Sequence, residues 1–358
     1  MTHRHPFGRR LAAAVLAVGT LFAAGAHAAD KPTFRIAWSI YAGWMPWKYI
    51  GESGLMDKWA DKYGIKVDIV QINDYIESIN QYTAGQFDGV VATSMDTLSI
   101  PSAGGVDTTA VIMGDYSNGN DGIVLKGSDR LADIKGRDVH LVELSVSHYL
   151  LARALDSIGL SERDVNVVNI SDADLVSAFK TPEVRAVATW QPLLNQVESE
   201  PDAHLVFDSS KIPGHIQDLL VVNTKTLREH PELGKALAGA WYEMMGLLKA
   251  DNEKGREIRA ELGEASGTDR KGYEMQLAGM KMFYDPADAV AFVKGDQCME
   301  AMDSVRRFSF QHGLLGPGAS SPDFVGIEFP GGKHLGDSGN IRMRYTTKYM
   351  QMAADGKL

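Results

Sequence analysis

From Phe34 onward the chain alternates short apolar runs with longer segments in which apolar residues recur at helical spacing, and this alternation narrows the fold most. It predicts an α/β protein, with mainly parallel strands covered by helices. Strands are expected over 34–38, 66–70, 87–93, 106–113 and 122–126, with helical sequence over 46–63 and from Asp74 to Gly85 between them. Asp74 and Glu77 have the spacing of a capping pair, and Gly85 suits the stop. A second block starts near Leu131, with strands over 139–143, 165–169, 186–189 and 204–207. After an apolar run at 219–223 the pattern turns mostly helical, over 231–248, 272–282 and 296–308.

A chain of 358 residues exceeds a usual single domain, and two lobes are the natural expectation. The economical arrangement takes lobe 1 from 29–126 and 219–358 and lobe 2 from 127–218. The chain then crosses between them near 126 and 215, at a hinged cleft. In open α/β sheets ligands sit beyond the carboxyl ends of strands, and both lobes would point those ends into one cleft.

Residues 1–28 stand apart from this fold. Arg4, Arg9 and Arg10 precede an apolar stretch over 11–26, and Ala26-His27-Ala28 offers the small residues of a signal-peptidase site. Cleavage is expected after Ala28, with the mature protein in the periplasm. Cys298 is the only cysteine, so no internal disulfide is expected, and none follows the cleavage point to carry a lipid anchor. Losing the three leader arginines takes the net charge from −10 to −13. With no concentrated basic run, nucleic acid is excluded as a partner. The sequence lacks His-Glu-x-x-His, Gly-x-Ser-x-Gly, Walker and Gly-x-Gly-x-x-Gly motifs. The expectation is therefore a monomeric protein that is not an enzyme and needs no cofactor or metal.

Candidate binding residues cluster where strands end. Trp38, Tyr41, Trp44 and Trp47 follow the first strand, and their ring faces can sandwich a planar molecule or attract a cation; lobe packing is the competing use. Asp96 follows the third strand, either capping the next helix or facing the cleft. Asp115 either binds ligand or fixes its loop through an Asx-turn. Asp121 and Asn118 read as hinge and turn residues. Glu143 ends an apolar strand before a helix starting around Ser145 to Ser147, so its carboxylate either satisfies that helix or disfavours an anionic guest. Ser145 and Ser147 can add hydrogen bonds, and His148 reads as structural. Trp190 ends the strand over 186–189, with Pro192 suited to a helix start. Asp218, before the returning strand, is a third acid.

Several strings, in order, resemble periplasmic substrate-binding proteins of ATP-driven importers of the nitrate, sulfonate and taurine type. They are Trp38 to Trp47, Ala84 to Gly89, Gly114 to Gly119, Val142 to Leu151 and Thr189 to Pro192. The resemblance spans nearly the whole mature chain and implies the two-lobe periplasmic binding protein fold with a hinged interdomain cleft, type II-like. Within that group the strings resemble the branch whose genes accompany urea carboxylase, which implies an importer component for urea or guanidine. Its implied partners are a small planar nitrogen compound and an inner-membrane ABC permease.

The residues bear on that choice independently. Guanidinium presents planar N–H donors that match a carboxylate bidentately, and its faces stack on aromatic rings. Urea carries a carbonyl acceptor and no charge, so several acids favour guanidinium. The alternatives are nitrate, sulfonate or taurine, and a thiamine pyrimidine precursor. An exported enzyme on the same fold is the alternative of another class. Relatives in thiamine-pyrimidine metabolism include enzymes with a cysteine-rich motif, which this sequence lacks.

Overall fold

The computed structural model describes residues 31–358; the expected leader over 1–28 lies outside the described residues. Two sheets organise the chain. The first receives β1 (Thr33–Trp38), β2 (Lys66–Gln71), β3 (Gly89–Thr93) and β4 (Thr108–Ser117). The second is built from β5 (Asp121–Lys126), β6 (Asp138–Leu141), β7 (Asn166–Asn169), β8 (Ala186–Trp190) and β9 (Ala203–Asp208). The chain then returns to the first sheet through β10 (Gln217–Asn223) and β11 (Met280–Met282), and adds β12 (Gly326–Glu328), β13 (His334–Leu335) and β14 (Ile341–Tyr345). Strand order is β13-β12-β14-β4-β10-β3-β1-β2, with β11 on the end of β4, and β7-β6-β8-β5-β9 in the second sheet.

Local chemistry sets these elements. β3 is Gly-Val-Val-Ala-Thr and buried throughout, a continuous apolar run suited to the middle of a covered sheet. Asp74 Oδ1 accepts the Glu77 N–H at 2.9 Å and caps the helix Tyr75–Thr83. The helix Pro231–Lys249 opens on Pro at its first turn and covers the first sheet, where Trp241 stacks on Trp47 with ring centroids 5.0 Å apart.

The structure departs from the expected elements where long-range pairing decides. The helix expected over 46–63 is two helices, Pro46–Glu52 and Leu55–Lys62, broken at Gly54 with φ 79°. The end of the helix expected over 272–282 is instead β11, which pairs with β4. That pairing, together with β10 on the other edge, extends β4 through Ser117, so the expected polar loop over 114–121 shrinks to 118–120.

Both sheets are mixed. β10 runs antiparallel between β3 and β4, and β5 runs antiparallel between β8 and β9. These are the strands on which the chain enters each sheet after crossing the cleft. Sheet membership puts β5 in the second lobe, where the sequence reading ended lobe 1 at 126, and puts the crossings at 118–120 and 209–216. Two apolar runs joined by a polar turn read as neighbours in one sheet; here the turn is the hinge. Ser117 and Ser209 tie its two segments, their hydroxyls 2.7 Å apart, and the Gly119 N–H donates to Ser209 Oγ at 2.7 Å.

Candidate functional site

Each crossing strand starts at the cleft, so its first residues lie on the cleft floor. Asp218, the second residue of β10, is in register with Asp115 on β4 and with Thr93 at the end of β3. Asp121, the first residue of β5, is in register with Trp190 at the end of β8. Between the lobes lies a cavity of about 20 Å³ lined by Ser39, Tyr41, Trp44, Tyr75, Thr93, Asp121, Val146, Trp190, Ile216 and Asp218. That volume is little more than one water-sized sphere, so the closed cleft suits a solute of a few heavy atoms.

The walls are aromatic. Tyr41 meets Trp44 edge-on at 5.2 Å, Trp44 and Tyr75 lie 5.4 Å apart, and Tyr75 meets Trp190 edge-on at 5.9 Å. The last contact joins the lobes, as does a backbone hydrogen bond from Ala42 N–H to Gln191 O at 3.3 Å. Gly43 is required beneath this wall. A Cβ there would lie 2.6 Å from Asp115 Oδ2.

Four aspartates surround the aromatic box, and all are buried: Asp96, Asp115, Asp121 and Asp218. Asp96 Oδ2 accepts hydrogen bonds from Tyr75 Oη at 2.6 Å and Thr93 Oγ1 at 2.8 Å, but its Oδ1 has no protein partner. The carboxyls of Asp115 and Asp218 lie against each other, Trp44 lies against Asp218 and Ser117 against Asp121, but none of these contacts has good hydrogen-bond geometry. Tyr41 Oη, Trp44 Nε1 and Ser39 Oγ are likewise buried without a well-formed hydrogen bond. None of the ion pairs among the described residues reaches these four acids.

Burial therefore dominates their ionisation. It raises Asp96 to about 6 against the hydrogen bonds of Tyr75 and Thr93. Burial raises Asp115 to about 7 against its interaction with the Asp218 carboxyl and with help from the charge of Asp121, and burial raises Asp121 to about 7 against Ser117 and with help from the charge of Asp96. Asp218 lies well above the usual carboxylate range through burial and the charges of Asp115 and Asp121. At the cleft rim Asp172, facing Asp74 across the lobes, is raised to about 6 by burial and that charge. The cleft is electronegative from rim to floor.

Of the residues expected at the site, the structure brings Tyr41, Trp44, Trp190 and Asp218 to the cavity wall. Asp96 stands behind Tyr75 and Thr93; Thr93, not Asp96, caps the short helix Ser94–Thr97. Asp115 lies in a strand, not an Asx-turn, behind Asp218 and Trp44. Ser147 is buried in the first turn of the helix Val146–Ser157, its Oγ without a partner, beside the wall residue Val146. Trp38, the last residue of β1, is absent from the cavity lining and borders a separate groove with Trp47, Lys48 and Gln71. Glu143 is exposed and outside the cavity: Ser145 caps the following helix, and the Glu143 N–H is spent on Asn169 Oδ1 at 2.9 Å. Sequence reasoning passed over Tyr75 and read Asp121 as a hinge residue, which its place just past a crossing fits, but not as a cavity residue. Tyr75 follows a helix cap directly, and Asp121 opens an apolar strand just past a crossing; both are recoverable signals.

The residues 58–248, more than half of the chain, match the family model described as NMT1/THI5 like. The chain belongs to the NMT1/THI5-like family. A putative binding protein of Brucella abortus is 23% identical over 204 residues, covering 56% of this chain and 63% of that protein. The chain thus spans less than two thirds of the curated relatives it matches first. The taurine-binding periplasmic protein of Escherichia coli is 26% identical over 119 residues, 32% of this chain and 37% of that one. Among solved structures, the alkanesulfonate-binding protein SsuA of Xanthomonas axonopodis pv. citri, bound to MOPS, superposes with a TM-score of 0.66 at 19% identity. That match covers 81% of this chain and 96% of that one. This NMT1/THI5-like chain accordingly has the two-lobe periplasmic binding protein fold. No helix among its described residues is long and apolar enough to cross a membrane.

Proposed function

We propose that this protein is the periplasmic solute-binding component of an ABC importer and that its solute is a small planar cation of the guanidinium type. The charge inventory of the cavity carries this reading. Two buried carboxylates, Asp121 and Asp218, line the aromatic box, and two more, Asp96 and Asp115, stand behind its wall, without a Lys, Arg or His to balance them. A buried acid left unpaired is costly, and a cation with in-plane N–H donors removes that cost while its faces meet Trp44 and Trp190. The size of the cavity supports the same choice. Nitrate, taurine and alkanesulfonates would place an anion among acids, whatever the named relatives bind. Urea shares the outline of guanidinium, and the buried donors Tyr41 Oη and Trp44 Nε1 suit its carbonyl, but it leaves the acids uncompensated.

Capture follows from the topology. Lobe 1 offers Asp218, Tyr41, Trp44 and Tyr75, lobe 2 offers Asp121 and Trp190, and a guest touching both sets favours the closed form by its differential affinity. The closed protein then presents both lobes to an inner-membrane permease. Calorimetric titration at pH 8 with guanidinium, urea, nitrate and taurine tests the ligand. Guanidinium is expected to bind far more tightly than the others and to emerge unchanged, and preferential binding of nitrate or taurine would refute the reading.

A further inference from the structure

Away from the cavity, a second acid bridges elements anchored in different lobes. Glu162 follows the helix Val146–Ser157 of the second lobe. One of its oxygens meets His148 Nε2 of that same helix, and the other meets His312 Nε2. His312 closes the helix Asp296–Gln311, here called the strap. The first turns of the strap are tied to the first sheet and the hinge. Gln217 Nε2 donates to Cys298 O at 3.4 Å, and Gln297 Nε2 donates to Pro213 O at 3.3 Å. Its last turns lie on the second lobe, where Phe308 meets Tyr149 edge-on at 5.0 Å.

The contact is local. Beside it the strap and the helix Val146–Ser157 border a solvent-open groove of about 330 Å³ lined by Arg153, Asp156, Ser161, Ser304 and Arg307. Here a few rings and one carboxylate hold two helices that are otherwise apart, the construction expected of a contact made and unmade.

The hydrogen bonds assign the protons. His148 Nδ1 accepts the Leu144 N–H at 3.1 Å, so the proton of that ring facing Glu162 sits on Nε2. A metal at Nε2 would need that position bare, so the three side chains do not suit one. His312 Nδ1 lies 2.9 Å from Phe308 O and must donate to it. Facing a carboxylate through Nε2 as well, His312 is an imidazolium. We propose that Glu162, held by His148 from its own lobe and by His312 from the strap, is a pH-sensitive latch that favours the closed cleft.

The titration behaves accordingly. Burial opposes ionisation of Glu162, yet the hydrogen bonds and charges of His148 and His312 bring it down to about 2, while the Glu162 hydrogen bond raises His312 above its usual value. The other charged groups around the latch are mutually paired: Arg153 with Asp156, and Asp303 with Arg306 and Arg307. Tyr149 is bound to His215 at 2.6 Å. The latch is whole in mildly acidic solution and is lost as pH rises through the raised value of His312.

Because Cys298 is buried, cysteines substituted for the exposed Lys66 and Asp129 can carry spin labels on the two lobes of the full chain. The cavity acids titrate in a neighbouring range, so the readout is the difference between the parent and its His312→Gln variant. The closed population of the ligand-free parent should exceed that of His312→Gln by about threefold or more at pH 6, and converge with it at pH 8.5. His312→Lys, which keeps its charge, should retain closure at pH 8.5. Imidazole nitrogen resonances of the unsubstituted protein give a check that does not depend on variant folding: two protons on His312 at pH 6 and an Nε2 proton on His148. Identical distance distributions in parent and His312→Gln, a bare His148 Nε2, or stoichiometric Zn²⁺ binding that shifts both rings would overturn the latch.

Discussion

The cavity acids are fully buried and Glu162 is half-buried, and the two are supplied differently. Glu162 spends both oxygens on imidazoles from its own chain, and burial is outweighed. Asp115 has only another acid, Asp218, beside its carboxyl, and burial wins. A self-paired carboxylate links parts of a protein; carboxylates gathered without a cation on strands that face each other across a hinge leave a charge for something else to bring. The contrast separates structural from binding chemistry within one chain, using only which atoms have partners.

The sharpest way to break the contrast is to neutralise one side. Asp218→Asn or Asp121→Asn should weaken guanidinium binding by about 100-fold or more and raise the melting temperature of the ligand-free protein at pH 8, read by calorimetry and thermal unfolding. Unchanged affinity in both variants would remove these acids from the site. Next in size is the pH dependence of the parent. Asp96 near 6, Asp115 and Asp121 near 7 and Asp218 well above the usual range hold protons that a cation must displace, so affinity should climb up to about tenfold per pH unit from pH 5 to about 7 and continue to rise beyond it as Asp218 ionises. Ligand-free stability should run the other way. The native protein keeps protons that the unfolded chain has lost above about pH 4, so stability falls as pH rises from there through about 7 and on until Asp218 ionises.

Glu162→Gln should behave oppositely to the aspartate variants. At pH 6 it should cost about 1 kcal/mol of unfolding free energy, and less at pH 8.5, where the parent has already lost the His312 charge. Equal losses at both pH values would make the pair merely steric. Smallest is Glu143→Gln, expected to leave affinity unchanged and stability within about 0.5 kcal/mol, because the side chain is exposed and outside the cavity. A tenfold loss of affinity would move the binding surface to that loop.

Much of the fold was legible because layered sheets leave strong periodic traces: β1, β3, β8 and the helix Pro231–Lys249 fall where apolar spacing places them. What escaped depended on partners far away in sequence. β11 is a strand because β4 offers it an edge, and β5 belongs to the second sheet because β8 and β9 flank it. The aromatic half of the cavity, Tyr41, Trp44 and Trp190, was readable from the rule that strand carboxyl ends face the cleft. That rule also pointed to Glu143, where the chain makes one more turn and Leu144 adopts φ 67° before the helix starts. It overlooked Asp121, because a strand entering a lobe from the hinge presents its beginning to the cleft. Asp218 was noticed for its chemistry but placed before the returning strand, not in it, for the same reason.

Charge, and not outline, selects the guest, and a single measurement can contradict that. Guanidinium and urea share a shape and differ by one positive charge, so the ratio of their affinities measured calorimetrically from pH 5 to pH 8.5 isolates that variable. The ratio should favour guanidinium and widen as the aspartates ionise; a ratio that stays flat with pH, or favours urea, would contradict it.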